Sequence, residues 1–190
     1  MRNKIQKFDA VIIGGGAAGM MCAIRAGERG KSVLIIEHTK KVGEKIRISG
    51  GGRCNFTNKN IEPENFLSNN SKFATSALSK FNQHDFISLV ESASISYHEK
   101  TLGQLFCDSS ASDIIRMLRK RMGQLDVTIK LDSVVEKIEK NDIFRIELKN
   151  EIFKTGALVI ACGGKSVPKI GATDFGYLVA EQFDLKIIDT

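Results

Sequence analysis

The chain has no apolar run near the ~18 residues a membrane span needs, no cysteines at CxxC spacing and no block of five like charges. Its four cysteines, Cys22, Cys54, Cys107 and Cys162, stand far apart. That spacing excludes a clustered zinc site and, without secretion, argues against a disulfide framework. Arg2, Lys4 and Lys7 lead into an apolar run that reaches Gly14 too soon to be the core of a signal peptide. The expectation is a soluble, reduced, cytoplasmic protein with no membrane partner and no bound metal, whose sequon Asn55-Phe56-Thr57 is never glycosylated. The formal charge of +6 is spread along the chain. It favours phosphate-bearing ligands only through the general field and does not point to nucleic acid as a partner. Proline is scarce at two residues, whereas the seventeen glycines are clustered and therefore positional.

Phe8 to Ile13 (FDAVII) reads as a buried strand, and Met20 to Glu28 as a helix with Ala, Met and Cys on its inner side. Gly30 stops that helix, and Ser32 to Glu37 (SVLIIE) forms a second buried strand, so residues 8–37 make a βαβ unit with a parallel pair. The chain then turns irregular from Lys40 to Asn70. Helices are expected over Lys72–Phe81 and Asp85–Ala93, and Ser110-Ala-Ser-Asp113 resembles a capping box for a third. These make 72–123 a helical segment. Alternation over 127–155, with Asn141-Asp142 as a turn, predicts a β-meander. A return strand at 157–161 (ALVIA) and a helix at 174–183 complete the reading.

Gly14, Gly16 and Gly19 form GxGxxG between a strand and a helix, and Glu37 closes the second strand about twenty residues later. Gly14 permits the tight turn, Gly16 lets backbone approach a pyrophosphate, and Gly19 lets helix and strand lie close. The free N–H groups around Ala17 and Ala18 then meet phosphate charge, aided by the helix dipole. Glu37 can accept both ribose hydroxyls of an adenosine. A 2′-phosphate at about 4 Å would be repelled by roughly 1–4 kcal/mol, so FAD or NAD fits and NADP does not. Spacing alone leaves the choice between FAD and NAD open.

The layout beyond the βαβ unit, a glycine-rich loop, helices and a meander before ALVIA-Cys-Gly-Gly, resembles the glutathione-reductase-type flavoproteins. The run Gly43-Glu-Lys45-Ile-Arg-Ile-Ser49-Gly50-Gly51-Gly52-Arg53-Cys54-Asn55-Phe-Thr57-Asn58 is more specific. With Gly103-Gln-Leu-Phe106, Gly163-Gly164-Lys-Ser166-Val-Pro168 and Gly171-Ala-Thr-Asp-Phe-Gly176-Tyr177, it resembles the hallmark of the BaiN/RdsA-type NAD(P)/FAD-dependent oxidoreductases, also described as aminoacetone-oxidase-like flavoproteins. The resemblance implies an α/β, Rossmann-like FAD-binding domain with a parallel central sheet, a β-meander and a helical connection. It implies a flavin loop at 43–58, with Lys45, Ser49, Gly50, Gly51, Gly52, Arg53 and Cys54 along the pyrophosphate and isoalloxazine. It also implies backbone contacts from Val135 to adenine, on the meander's first strand, and a close approach by Ala161, Gly163 and Gly164. Commoner members carry Arg and Pro where this chain has Gln104 and Cys107, which marks a subgroup.

Cys54 reads as a small buried residue rather than a redox partner, and His98 as a structural histidine rather than a proton donor. Cys22 and Cys162 are assigned to core packing. Gly164-Lys165-Ser166 mimics the end of a P-loop, but position 159 is Val within a strand and Pro168 blocks a following helix. No catalytic residue can be named. The late acidic segment that closes the flavin site in such proteins and their substrate domain are both missing, so the chain is expected to be incomplete without a C-terminal part. The expected function is an FAD-dependent oxidoreductase of a small organic substrate, with NAD(P)H as a transient reductant. An FAD-dependent RNA-modifying enzyme and a non-catalytic nucleotide-binding module are the alternatives.

Overall fold

The computed structural model describes residues 4–164 and 173–188. In chain order its elements begin with β1 (Lys4–Ile13), α1 (Ala17–Gly27), β2 (Val33–Ile36), α2 (Glu44–Ile48), β3 (Asn55–Asn58), α3 (Thr75–Leu78) and α4 (Gln83–Ser92). They continue with β4 (Tyr97–Glu99), β5 (Gln104–Cys107), α5 (Ala111–Gln124), β6 (Thr128–Lys130), β7 (Lys137–Lys140), β8 (Phe144–Leu148), β9 (Glu151–Ile160) and α6 (Phe175–Gln182). The chain divides into two compact units, one reaching to Lys45 and resuming at Leu118, the other holding Ile46–Met117.

The first unit is built on a six-stranded sheet of order β6-β2-β1-β9-β8-β7. β1 runs parallel to both β2 and β9, and β2 parallel to β6, while β7, β8 and β9 are antiparallel. The all-apolar runs of β1 and β2 place them at the centre, where both faces are covered. Val11, Leu34, Ile36, Ile146, Leu148 and Phe153 pack together on the sheet. Val11 pairs across to both Leu34 and Leu158. α1 contributes Met20, Ala23 and Ile24, all almost fully buried. At the entrance to the paired strands, Ser32 donates its N–H and hydroxyl to the Asp9 carboxylate at 2.8 and 2.7 Å. These bonds hold the Asp9 carboxyl below its ordinary range.

Two sequence expectations change here. Residues 127–155 do not form one meander. β6 leaves it to extend the parallel edge beside β2, and the meander proper is β7-β8-β9. The return strand at 157–161 is not separate either: β9 is one ten-residue strand, whose first half pairs with β8 and whose whole length pairs with β1. Alternation is shared by a sheet-edge strand and a meander strand, so periodicity could not tell them apart.

The second unit contains a three-stranded antiparallel sheet, β3-β5-β4. The expected helical segment 72–123 therefore carries two strands. The helix expected over Lys72–Phe81 shrinks to α3: of its apolar stripe Phe73 is 79% exposed and Ala77 is exposed too, and only Leu78 and Phe81 are half-buried. α4 begins two residues before the expected start. Asn82 caps it, accepting the N–H groups of His84 and Asp85, while the Asp85 carboxylate accepts the Asn82 N–H. Phe56 on β3 packs edge-on against Tyr97 and tilts toward Phe86 of α4. At the start of α5 the Ser110 hydroxyl accepts the Ser112 N–H, one half of the expected capping arrangement.

Thr155 lies fully buried in β9, with its Oγ1 3.0 Å from the Asp9 and Ala157 carbonyls and 3.2 Å from the Ala157 N–H. Replacing it by valine keeps the shape and leaves those groups without the hydroxyl. Thr155→Val is expected to lower unfolding stability by about 1–3 kcal/mol. A lower urea midpoint with an unchanged slope checks this.

Candidate functional site

The turn after β1 carries the fingerprint. Gly14 has φ +110, and a Cβ there would lie 2.5 Å from the Ala161 carbonyl oxygen, so glycine alone lets the turn pass against the end of β9. The Ala161 N–H donates to the Ile13 carbonyl at 2.7 Å. A Cβ on Gly19 would stand 1.9 Å from the Gly14 oxygen, which sets how closely α1 approaches the turn. Gly16 differs in kind. It caps α1 with extended backbone (φ −79, ψ −172), and a Cβ there would meet nothing within 4 Å. The helix start of Gly16, Ala17 and Ala18 therefore faces open space. Its backbone N–H groups and dipole form a cradle for an anion.

Glu37 follows β2 and is 7% exposed. Its Oε2 accepts the Gly15 N–H at 2.6 Å. Its Oε1 accepts the Thr39 N–H at 2.8 Å and lies 2.8 Å from the Thr39 hydroxyl. The two backbone N–H groups compensate the buried carboxylate. The Thr39 hydroxyl is shared between it and the Lys41 carbonyl, His38 Nδ1 lies 3.1 Å from Oε1, and lone-pair capacity is left for a ligand hydroxyl. Gly15 is a site residue that sequence reading missed. A Cβ there would lie 2.7 Å from Val42 Cγ1 and 3.2 Å from Glu37 Oε2. The signal was present: three glycines stand in a row where the fingerprint requires two.

Ile36 and His38, the residues on either side of Glu37, line a cleft of about 330 Å³ at the carboxyl ends of β1 and β2. Its walls include Ile13, Ile36, Val134, Val135, Phe175 and Leu178, with His38, Ser133, Cys162 and Asp174 among its few polar groups. An apolar slot of this size with a nearby acceptor suits a purine nucleoside. Val135 lines the cleft but precedes β7 rather than sitting on a strand, which corrects its expected position. Cys162 also differs from expectation. It faces the cleft instead of the core, and burial raises its thiol pKa. Gly163, with φ +76, would place a Cβ 3.2 Å from Lys45 Nζ, so a lysine ammonium reaches this backbone. Gly164 lies similarly close to the Tyr177 hydroxyl. Lys165–Ala172, including the P-loop mimic, lie outside the described residues.

The run expected to be a loop from residue 43 opens with helix α2, and the glycine-rich turn proper, Ser49–Gly52, lies in the second unit. Gly50, Gly51, Gly52 and Cys54 have φ of +57, +66, +86 and +52. Gly50 abuts Phe106, where a Cβ would fall 2.6 Å from Cε1, whereas Gly51 and Gly52 face open space. Consecutive left-handed residues turn their N–H groups into an anion-binding concavity, and exposed Arg53 adds charge. Ser49 accepts the Cys54 N–H at its carbonyl, and Arg53 accepts the Cys107 N–H. Cys54 is 5% exposed and Cys107 fully buried.

The first unit thus gathers Gly14, Gly16, Ala17, Ala18, Gly19, Glu37, Lys45, Val135, Ala161, Gly163 and Gly164 around the ends of β1, β2 and β9, and the second holds Ser49–Cys54. The ADP half of FAD fits the first set: an open helix start, a buried acceptor and an apolar slot. No group of three or more His, Cys, Asp or Glu that could hold a metal occurs among the described residues. Nor is any described helix long and apolar enough to cross a membrane.

The family model for the HI0933-like protein Rossmann domain matches residues 8–190. The chain is 50% identical over 187 residues to the ribosomal RNA dihydrouridine synthase of Escherichia coli K12, covering 98% of this chain and 47% of that protein. It is 29% identical over 176 residues to the 3-dehydro-bile acid delta(4,6)-reductase of Clostridium scindens, covering 90% and 42%. It therefore spans about half the length of the curated relatives it matches. In fold it resembles the 3-ketosteroid-delta4-(5alpha)-dehydrogenase of Rhodococcus jostii RHA1, with a TM-score of 0.62 at 14% identity over 86% of this chain and 49% of that one. The chain belongs to the HI0933-like family, and its fold is an α/β, Rossmann-like FAD-binding domain with a mostly parallel sheet.

Burial pushes the Cys107 thiol up to about 11. A raised thiol binds its proton more tightly folded than unfolded, so stability is present below the unfolded pKa and declines as pH rises from about 9 toward 11. Denaturation midpoints over that range should fall, and Cys107→Ala should flatten the fall.

Proposed function

We propose that this chain carries the FAD-binding part of an oxidoreductase that reduces a carbon–carbon double bond conjugated to a carbonyl, with uridine in ribosomal RNA as the substrate. The observation that carries the cofactor is the open Gly16–Ala18 helix start beside buried Glu37 and the apolar cleft. Support for the substrate comes from the 50% identical relative, whose name describes dihydrouridine formation in ribosomal RNA. The 29% identical bile-acid reductase suggests the shared chemistry, reduction next to a carbonyl. These relatives support a BaiN/RdsA-type assignment and favour the RNA-modifying reading that the sequence placed second, behind a small organic substrate. The small-molecule reading stands second, on the bile-acid reductase. An RNA substrate would place the enzyme in the cytoplasm.

In this reading the N–H groups of Gly16, Ala17 and Ala18 hold the pyrophosphate, and Glu37 holds the ribose. Val135 presents backbone to adenine. Lys45 and the backbone at Ala161, Gly163 and Gly164 line the approach, with Gly14 and Gly19 shaping the turn. Ser49, Gly50, Gly51, Gly52, Arg53 and Cys54 hold the flavin end through backbone donors and one fixed cation. Flavin held by these residues would supply hydride, with reduced nicotinamide as its source in this reading. The reading includes a further C-terminal part corresponding to the half of the relatives this chain does not span. Leu178 and Leu185, 55% and 62% exposed, are apolar surface such a part would cover.

Gly16→Val tests the cofactor role cleanly, since its backbone suits any residue and its Cβ meets no protein atom. The melting temperature should stay within about 2 °C, while FAD affinity should fall at least about tenfold, or 1.4 kcal/mol, by calorimetry. Unchanged FAD binding would remove the pyrophosphate assignment. For the substrate, the FAD-loaded enzyme with NADH should raise uridine mass by two hydrogens in a ribosomal RNA transcript. Mass spectrometry that finds reduction of cyclohex-2-enone but not of RNA would select the small-molecule reading.

A further inference from the structure

Reduction of a conjugated double bond adds hydride at the carbon β to the carbonyl and a proton at the α carbon. The need for a proton donor rests on the proposed function, in which this is the reaction catalysed. The hydride and its electron pair come from reduced flavin, replenished by reduced nicotinamide. The proton needs a separate donor.

Near the glycine-rich turn, the second unit offers four groups that could carry a proton. Two are closed off: Cys107 is fully buried with a thiol pushed up to about 11, and burial also raises the pKa of Cys54. Tyr97 turns its hydroxyl to the Glu91 carboxylate at 2.7 Å, which raises its pKa. His98 is the next residue on β4, so its side chain leaves the opposite face of the sheet. It is the cross-strand partner of Phe106, and the two rings stack with centroids 6.3 Å apart at 20°. Phe106 is the ring that abuts Gly50, so one aromatic ring separates His98 from the turn assigned to flavin. The His98 Nδ1 lies 2.6 Å from Asp108 Oδ1, and the His98 side chain is 37% exposed. Of the charged neighbours, Glu99 pairs with Lys59 at 2.5 Å, and Lys100 Nζ sits 4.2 Å over the same Phe106 ring, held there as a cation on its face. With Nδ1 fixed by a carboxylate, Nε2 is the ring nitrogen left to serve a ligand.

We propose that His98 is the proton donor of the reduction, delivering the Nε2 proton to the substrate's α carbon, with Asp108 as the positioning residue that holds Nδ1–H. As hydride adds at the β carbon, the π pair moves to the α carbon and takes the proton. The ring is left neutral with Nδ1–H on Asp108, and solvent returns the proton to Nε2.

The test uses the FAD-loaded enzyme as its gene encodes it, with a ribosomal RNA transcript as acceptor. In His98→Gln, flavin reduction by NADH should stay within about twofold, while reoxidation by RNA should slow about 10²–10⁴-fold. Cys107→Ala should leave both steps in place. In D2O the wild type should place solvent deuterium on one face of the α carbon, and His98→Gln on both. Independently of turnover, ¹⁵N NMR should show neutral His98 protonated on Nδ1, shifting toward the Nε2–H form in Asp108→Asn. A neutral ring in the Nε2–H tautomer in the wild type, unslowed reoxidation in His98→Gln, or loss of reoxidation in Cys107→Ala instead would each overturn the proposal. If RNA is untouched and cyclohex-2-enone reoxidises the flavin, the RNA assignment alone falls and the same variants decide His98 on the enone. If neither acceptor does, both fall.

Discussion

A buried carboxylate accepting the N–H of Gly15 holds the first unit's functional end together. The bond ties the residue after β2 to the turn after β1, two points twenty-two residues apart in the chain. Burying such a charge is costly unless donors surround it, and Gly15 and Thr39 supply them. The consequence is geometric. With Glu37 anchored, the turn cannot slide, and the helix start that follows it presents its N–H groups in one place. Its chain neighbours Ile36 and His38 line the cleft, so the residue that fixes the backbone sits between two of the cleft's own walls.

Glycine serves opposite purposes along this path. At Gly14, Gly15 and Gly19 the missing side chain lets protein touch protein, and at Gly16, Gly51 and Gly52 it leaves room that protein does not fill. Only the second kind prepares a place for another molecule. Both anion-suited segments, the α1 start and the Ser49–Gly52 turn, rely on backbone donors, which explains why their chemistry survives in a chain with so few polar side chains aimed at the cleft.

Much of this was legible because the signals were local. FDAVII and VLII are too apolar for anything but central strands, and the spacing of Gly14, Gly16, Gly19 and Glu37 follows from one strand–turn–helix geometry. The parts misread depend on distant partners. Thr128–Lys130 joins β2 because that edge is open to it, which no pattern within the segment encodes. Phe73 carries helical spacing yet lies exposed, so periodicity promised a helix that packing did not support. Val135 and Cys162 reach the cleft through the ends of β9 and the start of β7, whose placement only the assembled sheet determines. Gly15 was readable in principle, and its role emerges only with the Glu37 carboxylate opposite it.

The ten-residue β9 answers to two neighbours at once, parallel to β1 along its length and antiparallel to β8 over its first half. Adding or deleting one residue inside it would turn the remainder of the strand inside out against both. Divergence in length is therefore barred from this stretch and channelled into surface bends such as residues 141–143, where no second ladder keeps count. Descendants of this fold can be expected to vary there and stay invariant in span from Glu151 to Ile160.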